Sequence, residues 1–416
     1  MKKLGLLIIG DEILSGKIDD LNLKWLSKFI LKEDIDLHES LIVKDRRGHI
    51  SDALDHLLES CDVVITSGGL GPTEDDITKM TLTEYFNTEL DINIEVEKFV
   101  ISQYAKIHKD WDRSKNQYHL FPKGAKLVKN NKGLAPGIMF KQDDKLVFAT
   151  PGVPKEFQVM VQEEIIEEIK SHYQLQSSAK EYLHIRTFGI PEEEIFNVKY
   201  PKLWDQLSEH GKVSSLPTIT GVDISMTLDK NEDTLNKIQE IKKIINSIEL
   251  REKVWHYGSE TLQEVIVQKA KEKSLTIGFC ESCTGGLSSS KITDIPGSSS
   301  VFLGSVIAYS NDIKENILKV QSETLKEFGA VSKEVAHEMA LGGRECLNVD
   351  ICLSYTGIAG PGGGTLEKPV GTVAIGISSK QSTTSKRYQF YGDRLKLKER
   401  FSQLGLIKLL HEIEKY

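Results

Sequence analysis

Two stretches of this chain carry residue types that can do chemistry. The first is Glu281-Ser282-Cys283-Thr284-Gly285-Gly286, directly behind the apolar run Leu275–Cys280. A hydroxyl or thiol in such a turn can attack a carbonyl once a base or a lowered pKa activates it. On these grounds Ser282 and Cys283 are equal candidates. Ligands of open α/β sheets bind beyond the carboxyl ends of strands, where N–H groups of the following helix favour negative charge. Thr284, Gly285 and Gly286 would supply that oxyanion hole, and the glycines allow close backbone approach. Activators lie in Tyr309-Ser310-Asn311-Asp312-Ile313-Lys314. A lysine near apolar walls can lose its proton and act as base, with Tyr309 as relay. A second glycine loop runs from Thr356 to Gly364; Thr356, Gly357 and Gly360 there offer backbone donors for an anion. Arg394 can bind phosphate bidentately.

The second stretch is Ser67-Gly68-Gly69-Leu70-Gly71-Pro72-Thr73-Glu74-Asp75-Asp76, behind Val63–Thr66. Ser67, Gly68, Gly69 and Gly71 suit a loop that wraps a phosphate. Asp75 and Asp76 cannot themselves attract phosphate, but they can hold a divalent cation that does. Gly10-Asp11-Glu12 brings two more carboxylates to a strand end, and Glu12 joins the expected metal set.

Two further matches carry less. Cys280 and Cys283 form a C-x-x-C pair, but the spacing of Cys346 and Cys352 is unlike a zinc knuckle. Ser288 and Lys291 match S-x-x-K inside an ordinary amphipathic helix, without the partner motifs of that chemistry.

The elements that must position these residues are legible in outline. Leu4–Ile9, Leu37–Val43, Val63–Thr66 and Leu146–Ala149 read as strands. Leu23-Trp25-Leu26-Phe29-Ile30 and Ile50-Ala53-Leu54-Leu57-Leu58 repeat at helical spacing between them, which predicts βαβ units and a mostly parallel sheet over 1–170. Residues 171–250 read as a small α+β module, with strands Tyr182–Thr187 and Val222–Leu228 and helices Glu192–Tyr200 and Leu235–Ile248. Residues 251–416 return to α/β texture, with a helix at Leu262–Ala270 and strands at Leu275–Cys280, Ile351–Tyr355 and Val370–Ile377.

A net charge of −8 gives no long-range pull toward nucleic acid or anionic lipid. No stretch reaches the roughly 20 apolar residues of a membrane span, and the apolar run behind Lys2-Lys3 is too short for a signal peptide. Five cysteines, odd in number and sparse, argue against a secreted disulfide framework and place the chain in the cytoplasm.

Residues 260–395 resemble the nicotinamide mononucleotide deamidase domain of the CinA family. Beyond the two loops, the resemblance rests on Asp294-Ile295-Pro296-Gly297-Ser298-Ser299, Gly329-Ala330-Val331-Ser332 and Glu367-Lys368-Pro369-Val370-Gly371. It implies hydrolysis of a carboxamide to carboxylate and ammonia, with Ser282 as nucleophile, Tyr309 and Lys314 assisting, and no cofactor at this site. The first region resembles the MoaB/MogA-like domain found at the N-terminus of CinA proteins. Gly10–Gly16, Gly68–Asp76 with Thr78, Asn130–Gly137 and Pro151-Gly152-Val153-Pro154 with Glu156 carry that likeness. It implies a nucleotide site including Asn131 and Gly137, with metal-dependent hydrolysis of ADP-ribose to AMP and ribose 5-phosphate. The family often has Lys-Gln-Ala where this chain reads Gln117-Tyr118-His119, so Lys115 or Lys123 would replace that lysine.

The fold implied is two α/β domains joined by a KH-like α+β module. That module shows no Gly-x-x-Gly clamp, so spacing or dimerisation is expected of it rather than RNA binding. The expected protein is a homodimeric pyridine-nucleotide recycling enzyme that acts on small nucleotides, with no nucleic-acid or membrane partner. The alternative is a competence-associated scaffold with a vestigial N-terminal site. Molybdopterin adenylylation fits less well with the extra C-terminal domain.

Overall fold

The computed structural model describes residues 2–31, 33, 35–73, 76–114, 116–175 and 180–416. Contacts divide the chain into two units, Met1–Glu181 with Asp229–Glu232, and Tyr182–Leu228 with Asp233–Tyr416.

In the first unit, β1 (Lys2–Ile9) and β3 (Val63–Ser67) form from apolar runs, while β2 (Ile35–Val43), beside β1 at the sheet edge, alternates apolar with polar residues. The short pair β4 (Leu90–Ile92) and β5 (Leu120–Pro122) stands apart from the main sheet. β6 (Lys126–Val128), β7 (Gly137–Gln142) and β8 (Lys145–Thr150) complete a six-stranded sheet of order β2-β1-β3-β8-β7-β6. Its β1–β2, β1–β3 and β3–β8 pairs are parallel, while β8–β7 and β7–β6 are antiparallel. The antiparallel edge comes from a tight turn at Asp143-Asp144, where Asp143 takes a positive φ of 53°. The helix Arg47–Ser60 buries Ile50, Ala53, Leu54, Leu57 and Leu58, the expected i, i+3, i+4, i+7, i+8 stripe.

The second unit contains two sheets. β9 (Lys180–Thr187, which begins in the first unit), β10 (Lys212–Pro217), β11 (Val222–Asp229) and β12 (Val254–Tyr257) form a four-stranded sheet of order β10-β11-β9-β12. Ile224, Met226 and Leu228, fully buried on alternate positions of β11, supply one face of its core. The five-stranded sheet has order β14-β13-β15-β16-β17, from β13 (Ile277–Glu281), β14 (Phe302–Ile307), β15 (Ile351–Gly357), β16 (Thr372–Ser378) and β17 (Thr383–Gln389). β13 pairs in parallel with β14 and β15; β15–β16 and β16–β17 are antiparallel. The helix Arg394–Glu414, capped by Asp393 accepting from the Lys396 N–H, buries Leu397, Phe401 and Leu404 against this sheet.

Both large sheets share one topological feature. β1 is followed by a strand on one side and then by β3 on the other; β13 is followed by β14 on one side and then by β15 on the other. Such a reversal opens a crevice at the carboxyl ends of the central strands. The Ser67 and Ser282 turns lie at these two points.

Candidate active sites

β13 ends at Glu281, which is fully buried. Its carboxylate accepts from the backbone N–H groups of Gly286 at 3.0 Å, Ser288 at 3.2 Å and Ser289 at 2.8 Å, and from Ser289 Oγ at 2.6 Å. The start of the helix Leu287–Thr293 therefore does not offer these donors to a ligand: a carboxylate of the protein already satisfies them. This corrects the expectation placed on Gly286 as an oxyanion donor. Gly286 instead lets the chain turn at a φ of 93°, after Gly285 at 62°. Among the described residues, the amides of Cys283 and Thr284 donate to no protein acceptor, so they are the open donors of this turn. Ser282 N–H donates to the Tyr355 carbonyl at 3.0 Å and clips the turn to β15.

Lys314 sits in the short helix Asn311–Asn316 and is 2% exposed. Its Nζ donates to Ser282 Oγ at 3.2 Å and to the carbonyl of Ala308 at 2.9 Å, with those of Tyr309 and Ser310 at 3.4 Å. No carboxylate pairs with it among the described residues. Burial pushes its pKa below the ordinary 10.5, opposed in part by the neighbouring Cys283. Cys283 is buried too, and its thiol is pushed up to about 12 by loss of solvent, so it stays protonated at neutral pH.

Tyr309 is 63% exposed, and its hydroxyl accepts from Arg394 Nη2 at 3.3 Å. The structure does not bring that hydroxyl to Ser282; only the Tyr309 carbonyl reaches Lys314. Arg394 also donates to the Gly360 carbonyl at 2.6 Å and forms no ion pair among the described residues. A cavity of about 240 Å³ gathers Ser282, Lys314, Tyr309, Thr356, Gly357 and Arg394. Thr284, Gly285, Gly286 and Gly360 lie outside its lining. Thr356 spends its hydroxyl proton on the Ala330 carbonyl at 2.7 Å.

The two minor motifs resolve into packing. Cys280 Sγ lies 3.7 Å from Cys352 Sγ, away from Cys283, and all five thiols are free. Ser288 bonds Tyr355 and Ser402, while Lys291 pairs with Glu399.

The N-terminal cavity is larger, about 910 Å³. It brings together Ser67, Gly68, Gly69, Gly71, Asn131, Glu12 and Asp76. Gly68 (φ 121°) and Gly69 (φ 67°) adopt left-handed backbone, and a Cβ on Gly68 would stand 2.2 Å from the Ile9 carbonyl oxygen. The Gly68 N–H is taken by the Thr150 carbonyl, whereas those of Gly69, Leu70 and Gly71 have no protein acceptor among the described residues. Gly137 is not part of this cavity. It is buried at the start of β7, where a Cβ would meet Met160 and the Ala149 carbonyl. Asp75 and Lys115 lie outside the described residues. Lys123 is paired with Glu89 and Asp91 and does not line the cavity.

The carboxylates of Glu12, Asp19, Asp20, Asp45, Asp76 and Glu156 outnumber Lys106 and Lys132 around this space. A phosphate entering it needs added positive charge. Asp76 Oδ2 accepts from the Thr73 N–H at 2.9 Å and from the Thr73 hydroxyl, which fixes the carboxylate and leaves Oδ1 for a cation. No group of three potential ligands assembles among the described residues. Of the carboxylates expected to hold a metal, Glu12 and Asp76 are the described ones that line the cavity.

With this geometry in hand, sequence comparison decides the family. A competence-damage inducible protein of Thermoanaerobacter pseudethanolicus is 36% identical over 398 residues, covering 94% of this chain and 94% of its own. One of Caldicellulosiruptor saccharolyticus is 36% identical over 424 residues, covering 99% of each chain. The chain belongs to the CinA family. Its residues 259–413 match the CinA C-terminal domain, and residues 5–171 match the "Probable molybdopterin binding domain" family. A crystal structure of competence/damage inducible protein CihA from Agrobacterium tumefaciens is 33% identical, covering 38% of this chain and 97% of that one, with a TM-score of 0.36. No helix among the described residues is long and apolar enough to cross a membrane.

Two residues of this CinA-family chain escaped the sequence reading. Glu281 stood in the quoted motif without a role; a carboxylate as the last residue of an apolar strand was the signal. Asn22 stood in no motif, yet it is 2% exposed and lines the N-terminal cavity.

Proposed function

We propose that this protein is a two-site hydrolase of pyridine nucleotides. The C-terminal site cleaves the carboxamide of nicotinamide mononucleotide, and the N-terminal site cleaves ADP-ribose to AMP and ribose 5-phosphate. The observation that carries this reading is the Lys314 Nζ to Ser282 Oγ contact of 3.2 Å, made by a buried lysine with no carboxylate partner among the described residues. A neutral lysine in that position takes the Ser282 proton as Oγ attacks the amide carbon. The amide of Cys283, which lines the cavity, receives the charge that develops on oxygen. Lys314 then gives the proton to departing ammonia, and water, deprotonated by the same lysine, releases the nicotinate product. Arg394 at the cavity mouth takes the 5′-phosphate, with Tyr309 holding its guanidinium.

The two cavity volumes are in keeping with this division of substrates. About 240 Å³ holds a single ring with part of its sugar, whereas about 910 Å³ holds a dinucleotide-sized molecule. At the N-terminal site Asp76 and Glu12 would hold a divalent cation, which polarises the diphosphate and lowers the pKa of water. The free amides of Gly69, Leu70 and Gly71 wrap the phosphates. We infer a homodimer in the cytoplasm as its working form.

The test is a screen of pyridine nucleotides with and without divalent metal. Metal-independent ammonia release from nicotinamide mononucleotide, together with metal-dependent AMP from ADP-ribose, is expected. Absence of both products favours the competence-associated scaffold instead.

A further inference from the structure

Asn22 opens the helix Asn22–Ile30 and is the buried polar side chain of the N-terminal cavity with an unmet demand. Its Nδ2 donates to Ser67 Oγ and to the Gly152 carbonyl oxygen, both at 2.9 Å. A carbonyl can only accept, so the amide is held with its NH₂ toward Gly152 and Ser67. Its Oδ1 is thereby left without a donor among the described residues. Ser67, also 2% exposed, accepts from Asn22 and donates to no group among the described residues, which leaves its hydroxyl proton for a ligand. An orphan acceptor and an orphan donor thus stand side by side, in the crevice where the carboxyl ends of β1 and β3 meet.

Their needs are opposite. An oxygen of an ionised phosphate ester or diphosphate diester accepts the Ser67 proton but has none to give Asn22. A sugar hydroxyl has one. The amides of Gly69, Leu70 and Gly71, open on the same loop, extend the phosphate side of this pair. A ribosyl phosphate ester meets every demand at once, whereas the same ester stripped of its sugar hydroxyls meets only the phosphate side of them.

We propose that Asn22 is the specificity-determining residue of the N-terminal site: its Oδ1 reads a ribose hydroxyl, while its Nδ2 holds Ser67 with the hydroxyl proton turned toward phosphate. This rests on the reading of that cavity as a site for ribosyl diphosphates. The contact at Gly152 gives it rigidity, because one side chain ties together the end of β3, the loop after β8 and the first turn of a helix.

Calorimetric titration of the full chain, in the presence of Mg²⁺, tests it with three probes: ribose 5-phosphate, its 2,3-dideoxy analogue, and inorganic phosphate. Wild-type protein is expected to bind ribose 5-phosphate about tenfold tighter than the dideoxy analogue. Asn22→Ala brings that ratio to about one. Ser67→Ala weakens all three probes by a similar factor and leaves the ratio standing, an outcome that a merely structural role for Asn22 does not produce. Equal binding of the sugar and its dideoxy analogue by wild-type protein overturns the proposal without any variant, and so decides the matter if Asn22→Ala fails to fold. A ratio that survives Asn22→Ala overturns it equally. AMP release from ADP-ribose by wild-type protein is followed separately. If it occurs while the ratio is one, the specificity role falls and the function stands; if the ratio is tenfold without AMP release, the reverse holds.

Discussion

The turn after β3 and the turn after β13 occupy equivalent places, each at the carboxyl end of a strand where the sheet order reverses. Both are glycine-rich and both are followed by a helix. Their electrostatics are opposite. After β3, the strand ends on neutral Ser67, and the amides of Gly69, Leu70 and Gly71 remain open to a ligand. After β13, the strand ends on Glu281, whose carboxylate takes the amides of Gly286, Ser288 and Ser289. The first turn can therefore wrap an anion, while the second has spent its helix N-terminus on holding its own shape. What it gains is a rigid platform for Ser282, clipped on the other side to Tyr355. Topology says where a ligand goes; the last residue of the strand decides whether the following amides bind that ligand or brace a nucleophile.

The largest expected effect falls on the braced turn. Ser282→Ala should lower ammonia release from nicotinamide mononucleotide by at least about a thousandfold, since the covalent path is lost. Unchanged turnover would show that the braced serine is not the attacking group. The same site makes a pH prediction. In the proposed mechanism the active form of Lys314 is neutral; burial lowers its pKa below 10.5, so kcat/KM should climb with pH and level off below 10.5. Lys314→Arg stays charged at every accessible pH and should abolish both the activity and its rising limb.

On the open turn, Asp76→Asn should lower metal-dependent AMP formation by roughly a hundredfold, since it weakens the charge that lets a phosphate enter an acidic cavity. Ammonia release should be unchanged in that variant. A joint loss of both activities would contradict the separation of the two turns.

The sequence showed these sites unevenly, for physical reasons. The central strands were legible because long apolar runs have few other places to go; Leu4–Ile9 lies inside β1 and Ile351–Tyr355 inside β15. β7, β14 and β17 escaped notice: β17, with the sequence Thr-Thr-Ser-Lys-Arg-Tyr-Gln, is half exposed and polar, and β14 lies at a sheet edge. The meeting of Ser282 with Lys314 was expected from the family resemblance alone; what brings it about is that both follow strands that pair in parallel, and β14 was not read in the sequence. The role of Glu281 was not legible, because nothing in a sequence says whether a carboxylate at a strand end turns to solvent or back onto the next helix. Asn22 was missed for a related reason, since its partners Ser67 and Gly152 lie far along the chain and only the folded sheet brings them together. Gly137 shows the converse error: its place in a motif suggested ligand contact, whereas Met160 and the Ala149 carbonyl explain its lack of a side chain.

Glu281→Ala should measure what bracing contributes to stability. It leaves the buried Ser288 N–H, the part-buried N–H groups of Gly286 and Ser289, and the Ser289 hydroxyl without their acceptor. At about 1–3 kcal/mol for each unsatisfied donor, less what water recovers in the new cavity, a net loss of about 3 kcal/mol is expected. Chemical denaturation of the second unit reads this directly. A loss below about 1 kcal/mol would mean that the helix start does not depend on the carboxylate.

The smallest effect is expected beside the nucleophile. Cys283 is buried and its Sγ packs near Gly357, where a Cβ on that glycine would stand 3.0 Å away. Lys314 donates to Ser282 and to carbonyl oxygens, with no hydrogen bond to the thiol. A thiol titrating at about 12 carries almost no thiolate at neutral pH. Cys283→Ala therefore removes one buried sulfur, at a cost of about 1 kcal/mol, and keeps the backbone amide that faces the developing oxyanion. Ammonia release should stay within about twofold of wild type. Were this variant inactive and Ser282→Ala active, the nucleophile would be the thiol, and Lys314 would have to approach it by a movement that the 3.2 Å contact with Ser282 opposes.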